Sequence, residues 1–157
     1  CNRVTVRIKN TQTSANVITL GDSRHGHGNG IDLAIIKLNT LPPGTKPMKF
    51  ASFSNVRNGE RVYVIGNSLG YGTCITSGIV SDRLREVDGS KLLMTDCAVN
   101  GGNSGGPMFN EKGAVIGTIV SGISGAEGMN FAIPCDAVVD FIKKAAPSIK
   151  ITRSMSS

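Results

Sequence analysis

The chain has no tryptophan, two tyrosines and an aromatic content of 4%, so it lacks the interleaved aromatic platform on which single-stranded bases stack. It has no apolar run approaching the ~20 residues of a bilayer-spanning helix, and its opening CNRVTVRIKN contains no apolar core of a signal peptide. No membrane segment is expected, and any leader lies upstream. Acidic residues are few, 11 against 17 Lys and Arg for a net charge of +6. The cations fall as singles or short groups, such as Arg83 with Arg85 and Lys143 with Lys144. A solvated basic surface accounts for them, and a nucleic-acid partner is not indicated. Histidine is rarer still: His25 and His27, both in RHGHGNG. No cofactor and no metal site is expected, H-x-H being the weaker reading of a Gly-rich surface loop. The four cysteines permit three pairings. The chain is long enough to hold a core without staples, and Cys74, Cys97 and Cys135 lie in or beside apolar runs. Free buried thiols are expected, which leans toward an intracellular setting.

What the sequence does contain is punctuation. With 20 Gly and 6 Pro in 157 residues, the segments between are short and rich in Val and Ile, an all-β signature in one compact domain or the larger part of a longer one. Val4, Val6 and Ile8 alternate with polar residues as a half-buried strand, residues 16–20 continue into a partner after the polar stretch NTQTSA, and 32–38 reads as a third strand buried on both faces at its centre. LPPGTKPMKF follows as an ordered crossing between lobes that cannot be helix. Six strand-like runs come next, at 61–66, 74–82, 91–96, 106–110, 114–122 and 128–134, the number that closes a small antiparallel barrel. Beyond Pro134, Val138, Phe141, Ile142 and Ala145 share a helical face with Asp136 placed to cap its start, and the tail from Pro147 is expected to fray.

Chemistry concentrates in Gly101-Gly-Asn-Ser-Gly-Gly-Pro107. A nucleophilic serine needs its hydroxyl on an exposed tight turn, with glycines that let the backbone bend and aim N–H groups at a developing oxyanion. Ser104 is the candidate nucleophile, with the N–H groups of Gly102 and Ser104 as oxyanion donors. Asp32 heads an apolar strand, where an acid would be costly to desolvate without a partner. Standing alone it would read as an exposed strand cap.

IDLAIIKL, VYVIGNSLGYG, TSGIVS, MTDCAVNGGNSGGPMFN, GAVIGTIVSG and MNFAIP, in this order and over almost the whole chain, resemble the trypsin-like domain of HtrA/Deg serine proteases. The resemblance implies a chymotrypsin fold of two six-stranded antiparallel barrels with a C-terminal helix, the first barrel incomplete in this chain. Residues 1–41 would be the remaining second half of the N-terminal barrel and 42–60 the connector. Residues 61–134 would be the C-terminal barrel with the nucleophile, 135–146 the helix and 147–157 the tail. It implies a serine endopeptidase acting on a peptide or protein substrate, with Asp32 as triad carboxylate and Ser104, 72 residues on, as nucleophile.

The family's histidine falls just before Cys1 when its strands are matched, so His25 and His27 do not fit. A segment carrying the catalytic histidine is expected upstream or on a separate fragment, and the chain alone is expected to be inactive. The alternative is an inactive protease-fold binding module. Relatives usually carry PDZ domains, which are not expected within these residues, and oligomer formation is left open. The specificity-pocket base falls at Ala98, beside Val99, with Ile119, Val120 and Ser121 as the opposite wall. With no acid at Ala98, small or medium aliphatic side chains are expected at P1, the residue before the scissile bond. Asp96 is implied to be structural. Asn103 stands where digestive relatives carry an aspartate, so an activating ion pair with a new N-terminus is not expected.

Overall fold

The computed structural model describes residues 2–22, 30–67, 70–120 and 128–155. The alternating Val4, Val6 and Ile8 form strand β1 (Arg3–Ile8), which pairs antiparallel with β2 (Thr11–Leu20) and through it with β3 (Ala34–Leu38), in the order β1-β2-β3. Ile8 pairs with Thr11, so Lys9 and Asn10 form a two-residue hairpin loop in which Lys9 takes φ of 55°, as such loops require. NTQTSA is therefore mostly strand, and β2 starts five residues earlier than its apolar residues suggest. β3 also departs from expectation: it begins at Ala34 and is not buried on both faces, Ile36 being 43% exposed. This sheet is open, so Ile18 and Leu20 likewise remain 44% and 71% exposed.

Six strands close into an antiparallel barrel: β4 (Arg61–Gly66), β5 (Cys74–Val87), β6 (Ser90–Thr95), β7 (Pro107–Asn110), β8 (Val115–Val120) and β9 (Asn130–Pro134), in the order β4-β5-β6-β9-β8-β7. Val62, Val64, Val80, Leu93, Met108, Ile116, Ile119 and Ala132 fill its interior, each 1% exposed or less. Burial of each larger side chain among them contributes on the order of 1.5–3 kcal/mol. β5 runs five residues beyond its apolar run, as a ribbon with β6 closed by Asp88 and Gly89, both at positive φ (48° and 78°). A second cluster outside the barrel wall gathers Leu92, Phe131, Ile133 and Val138, with Ile31, Leu33, Phe50 and Val120 packed against it. β9 is thus covered on both sides, which explains its unbroken apolar run.

Helix α1 (Cys135–Ala145) follows β9 directly, and its N-cap is Pro134 with no side-chain cap. Asp136 does not cap it. Its carboxylate lies in the first turn, favourable beside the helix N-terminus, and accepts from Arg153 Nη1 at 2.7 Å. Nor does the tail fray from Thr152 to Ser154. Phe50 N–H donates to the Thr152 carbonyl at 2.9 Å, Ser154 N–H to the Phe50 carbonyl at 2.7 Å, and Arg153 Nη1 also to the Ala51 carbonyl at 2.9 Å. The connector, helix and tail are therefore pinned to one another near β8, where Ala51 N–H donates to Val115. Arg153→Ala should lower stability by about 1–2 kcal/mol, a shared carbonyl bond plus a half-exposed ion pair. Thermal unfolding of the full-length protein checks this, as a fall of about 2–8 °C.

Candidate active site

The segment Gly101–Pro107 folds as two consecutive turns. Asn103 N–H donates to the Asn100 carbonyl at 3.1 Å across Gly101 and Gly102, and Gly106 N–H to the Asn103 carbonyl at 2.9 Å across Ser104 and Gly105. In each, the third residue has positive φ, 98° at Gly102 and 80° at Gly105, the conformation that makes glycine the residue of choice in a type II turn. The serine is consequently the second residue of a turn whose geometry its neighbours set. Ser104 is exposed, while Asn103 beside it is 1% exposed.

What holds the crest in place is the barrel beneath. Gly105 N–H donates to the Ile119 carbonyl at 2.8 Å and Ile119 N–H to the Gly106 carbonyl at 2.9 Å, while Asn67 N–H reaches the Gly102 carbonyl at 3.4 Å. Asn103 lies directly against Gly66: a methyl group there would contact Asn103 Oδ1 and stand 2.8 Å from its Cγ and 2.9 Å from its Cα. A methyl at Gly106 would stand 2.5 Å from the Ile65 carbonyl oxygen and 2.8 Å from that of Asn103. Gly66 and Gly106 are thus required by close approach, whereas Gly105, with nothing within 4 Å of an added methyl, is required by its φ. Sequence reading missed Gly66 as a site residue, although a glycine ending an apolar strand signals such an approach.

Asp32 is exposed, at the apex of a tight turn closed by Leu33 N–H on the Ile31 carbonyl (2.9 Å). Leu33's carbonyl accepts from Gly21 N–H at 2.7 Å. The expectation of a carboxylate heading a buried strand is corrected: the strand starts two residues later, and the turn carries Asp32 out to solvent. Its neighbours Ile31 and Leu33 pack, as Val120 does, on the outer cluster of Leu92, Phe131, Ile133 and Val138.

Of the expected pocket residues, Ala98 is exposed and Val99 packs partly buried on the barrel core. Ile119 is 1% exposed inside that core, so it offers a pocket backbone and no side chain. Val120 packs on the outer cluster. Ser121, His25, His27 and Cys1 lie outside the described residues. Asp96 is structural: its Oδ1 accepts Ile79 N–H at 2.7 Å.

Neither buried thiol is poised as a nucleophile. Desolvation pushes the Cys97 thiol up, reinforced by the Asp96 charge and opposed by a hydrogen bond from Thr95. Burial, then the Asp136 charge, pushes Cys135 up to about 12. Their sulfurs lie 3.8 Å from the Val62 carbonyl and 3.4 Å from that of Ala51. At neutral pH both stay protonated, and a thiol is a poor nucleophile. Cys74, Cys97 and Cys135 are not in disulfides. Among the described residues, no His/Cys/Asp/Glu group could hold a metal and no helix is long and apolar enough to cross a membrane.

Comparison with known proteins places this geometry. Residues 1–117 match the family model of the trypsin-like peptidase domain. The chain is 34% identical over 97% of its length to the serine protease Do-like HtrB of Bacillus subtilis, covering 34% of that protein. It is 41% identical over 73% of its length to a probable periplasmic serine endoprotease DegP-like of Brucella suis, covering 24% of it. Among solved structures, the HtrA-type protease AlgW with decapeptide superposes with a TM-score of 0.77 at 26% identity, over 94% of this chain and 45% of that one. The chain thus spans about a third of the length of the first two sequence relatives it matches, 34% and 29%. The open sheet, closed barrel and C-terminal helix are a portion of the chymotrypsin fold, and the chain belongs to the trypsin-like peptidases, in their HtrA/Deg branch.

Proposed function

We propose that the protein is a serine endopeptidase in which Ser104 attacks the scissile carbonyl and the N–H groups of Gly102 and Ser104 receive the oxyanion. The observation that carries this reading is the double turn, which exposes Ser104 on a crest anchored by buried Asn103. Asp32 is the triad carboxylate; it orients a histidine supplied from outside these 157 residues, since His25 and His27 sit only a few residues ahead of Asp32, too close for the family's spacing. In the reaction the histidine takes the Ser104 proton during attack and returns it to the leaving amine. Water then hydrolyses the acyl-enzyme. On this reading the 157 residues by themselves do not turn over.

A peptide substrate is supported by the decapeptide carried by the HtrA-type relative. Ala98 at the pocket base suits small or medium aliphatic P1 residues, because a Lys or Arg there would bury an unpaired charge. Asp96 does not supply the missing acid, being occupied by Ile79 N–H. Asn103 is a neutral amide in a buried position and cannot compensate a buried ammonium, so release of a new N-terminus is not the activating event.

A fluorophosphonate applied to the full-length protein should label Ser104 stoichiometrically, with the adduct located by peptide mass mapping. Label at Cys97 or Cys135, or none in a protein whose upstream sequence contains no histidine, would replace the enzyme with a protease-fold binding module.

A further inference from the structure

The segment between β6 and the nucleophile loop is held by side chains. β6 ends at Thr95, and the next three residues are tied one by one to the barrel. Asp96 Oδ1 accepts Ile79 N–H at 2.7 Å, Asn130 Nδ2 donates to the Cys97 carbonyl at 2.7 Å, and Thr76 Oγ1 donates to the Ala98 carbonyl at 2.9 Å. Cys97 N–H is engaged as well, by Thr95 Oγ1 at 3.1 Å, which itself donates to the Ile79 carbonyl at 2.8 Å. The approach is close: a methyl at Gly78 would contact Asp96 Oδ1 and stand 2.8 Å from Cys97 N.

Asn130 is the unexpected member. It opens β9, whose next four residues are all buried. An amide placed half-buried there is costly unless bonded. A carbonyl only accepts, so the amide nitrogen must be the end that faces Cys97.

Building on the endopeptidase reading, we propose that Asn130 is a positioning residue that sets P1 selectivity. It clamps the Cys97 carbonyl while Thr76 clamps that of Ala98, which fixes the height of the Ala98 methyl at the pocket base. From Ala98 the chain runs through Val99, seated on the barrel core, to the turn at Asn100–Asn103, so base and nucleophile share one short tether. Discrimination by one methylene in an apolar pocket amounts to roughly 10–200-fold and depends on where that base sits.

The test uses the full-length protein with peptides differing only in P1, Val against Phe. Asn130→Ala should lower the Val:Phe ratio of kcat/KM by about tenfold, with the loss falling mainly on KM for the Val peptide. Asn130→Asp keeps the shape but, ionised, offers an acceptor to an acceptor, and should lose at least as much. Thr76→Val, at a partly exposed site, should shift the ratio in the same direction and carries the test if the Asn130 variants do not fold. Amide hydrogen exchange of residues 98–100 should quicken by about tenfold in each variant. Wild-type selectivity in Asn130→Asp and Thr76→Val, or unchanged exchange, overturns the proposal. An inactive wild type would count against the endopeptidase reading alone, and exchange would still decide the clamp.

Discussion

Ser104→Ala in the full-length protein is expected to lower kcat on a Val-containing peptide by about 10⁶-fold, the scale on which removal of a triad nucleophile acts. Residual turnover would come from the oxyanion donors and substrate binding alone. The fold should be indifferent, because Ser104 is exposed and the turn around it is set by the φ of Gly105 and by the bond from Gly106 N–H to Asn103. Thermal stability should therefore stay within about 0.5 kcal/mol of wild type, as for surface substitutions generally. Neither buried thiol can take over, since burial raises both above their ordinary range. Cleavage that survives in Ser104→Ala at more than about one part in 10³ would place the nucleophile elsewhere and end the assignment.

The crest was legible in the sequence because its physics is local. Positive φ at two of every few residues can be met cheaply only by glycine, so GGNSGGP announces the double turn without any knowledge of the barrel. The barrel strands were legible for a related reason: β-branched runs between glycines and prolines mark β4, β6, β7, β8 and β9 to within a few residues. Where β5 continues past Asp82 the pattern fails, since that ribbon has little to bury and Leu84 is 45% exposed, although Asp88-Gly89 does carry the hairpin signal. The docked tail has no local signature at all. It depends on backbone bonds to Phe50 and on Arg153 reaching Ala51, 102 residues away. The same limit hid Asn130, whose bond to Cys97 spans 33 residues, and the exposure of Asp32, which follows from a turn and not from its strand's composition.

Gly66→Ala tests whether the barrel wall, rather than the loop alone, aligns the nucleophile. Gly66 is not among the residues at positive φ, so alanine brings no backbone strain of its own and its effect must be steric. The added methyl would stand 2.9 Å from Asn103 Cα and 2.8 Å from Asn103 Cγ, contacts with backbone and a buried side chain that cannot swing away, Asn103 being 1% exposed. The turn carrying Gly102 and Ser104 must lift to make room. A displacement near 1 Å at reacting groups costs about 10²-fold, and overpacking of this kind destabilises by about 1–3 kcal/mol. Gly66→Ala should thus lose about 10²-fold in kcat/KM, and fluorophosphonate should label Ser104 correspondingly more slowly. Gly113→Ala is the matched control. Gly113 lies in the β7–β8 turn at φ of 74° with nothing within 4 Å of an added methyl, so it should lose about 1–2 kcal/mol of stability to left-handed strain and leave labelling unchanged. If both variants lose stability equally and both label at the wild-type rate, Gly66 is only a packing residue and the wall does not set the crest.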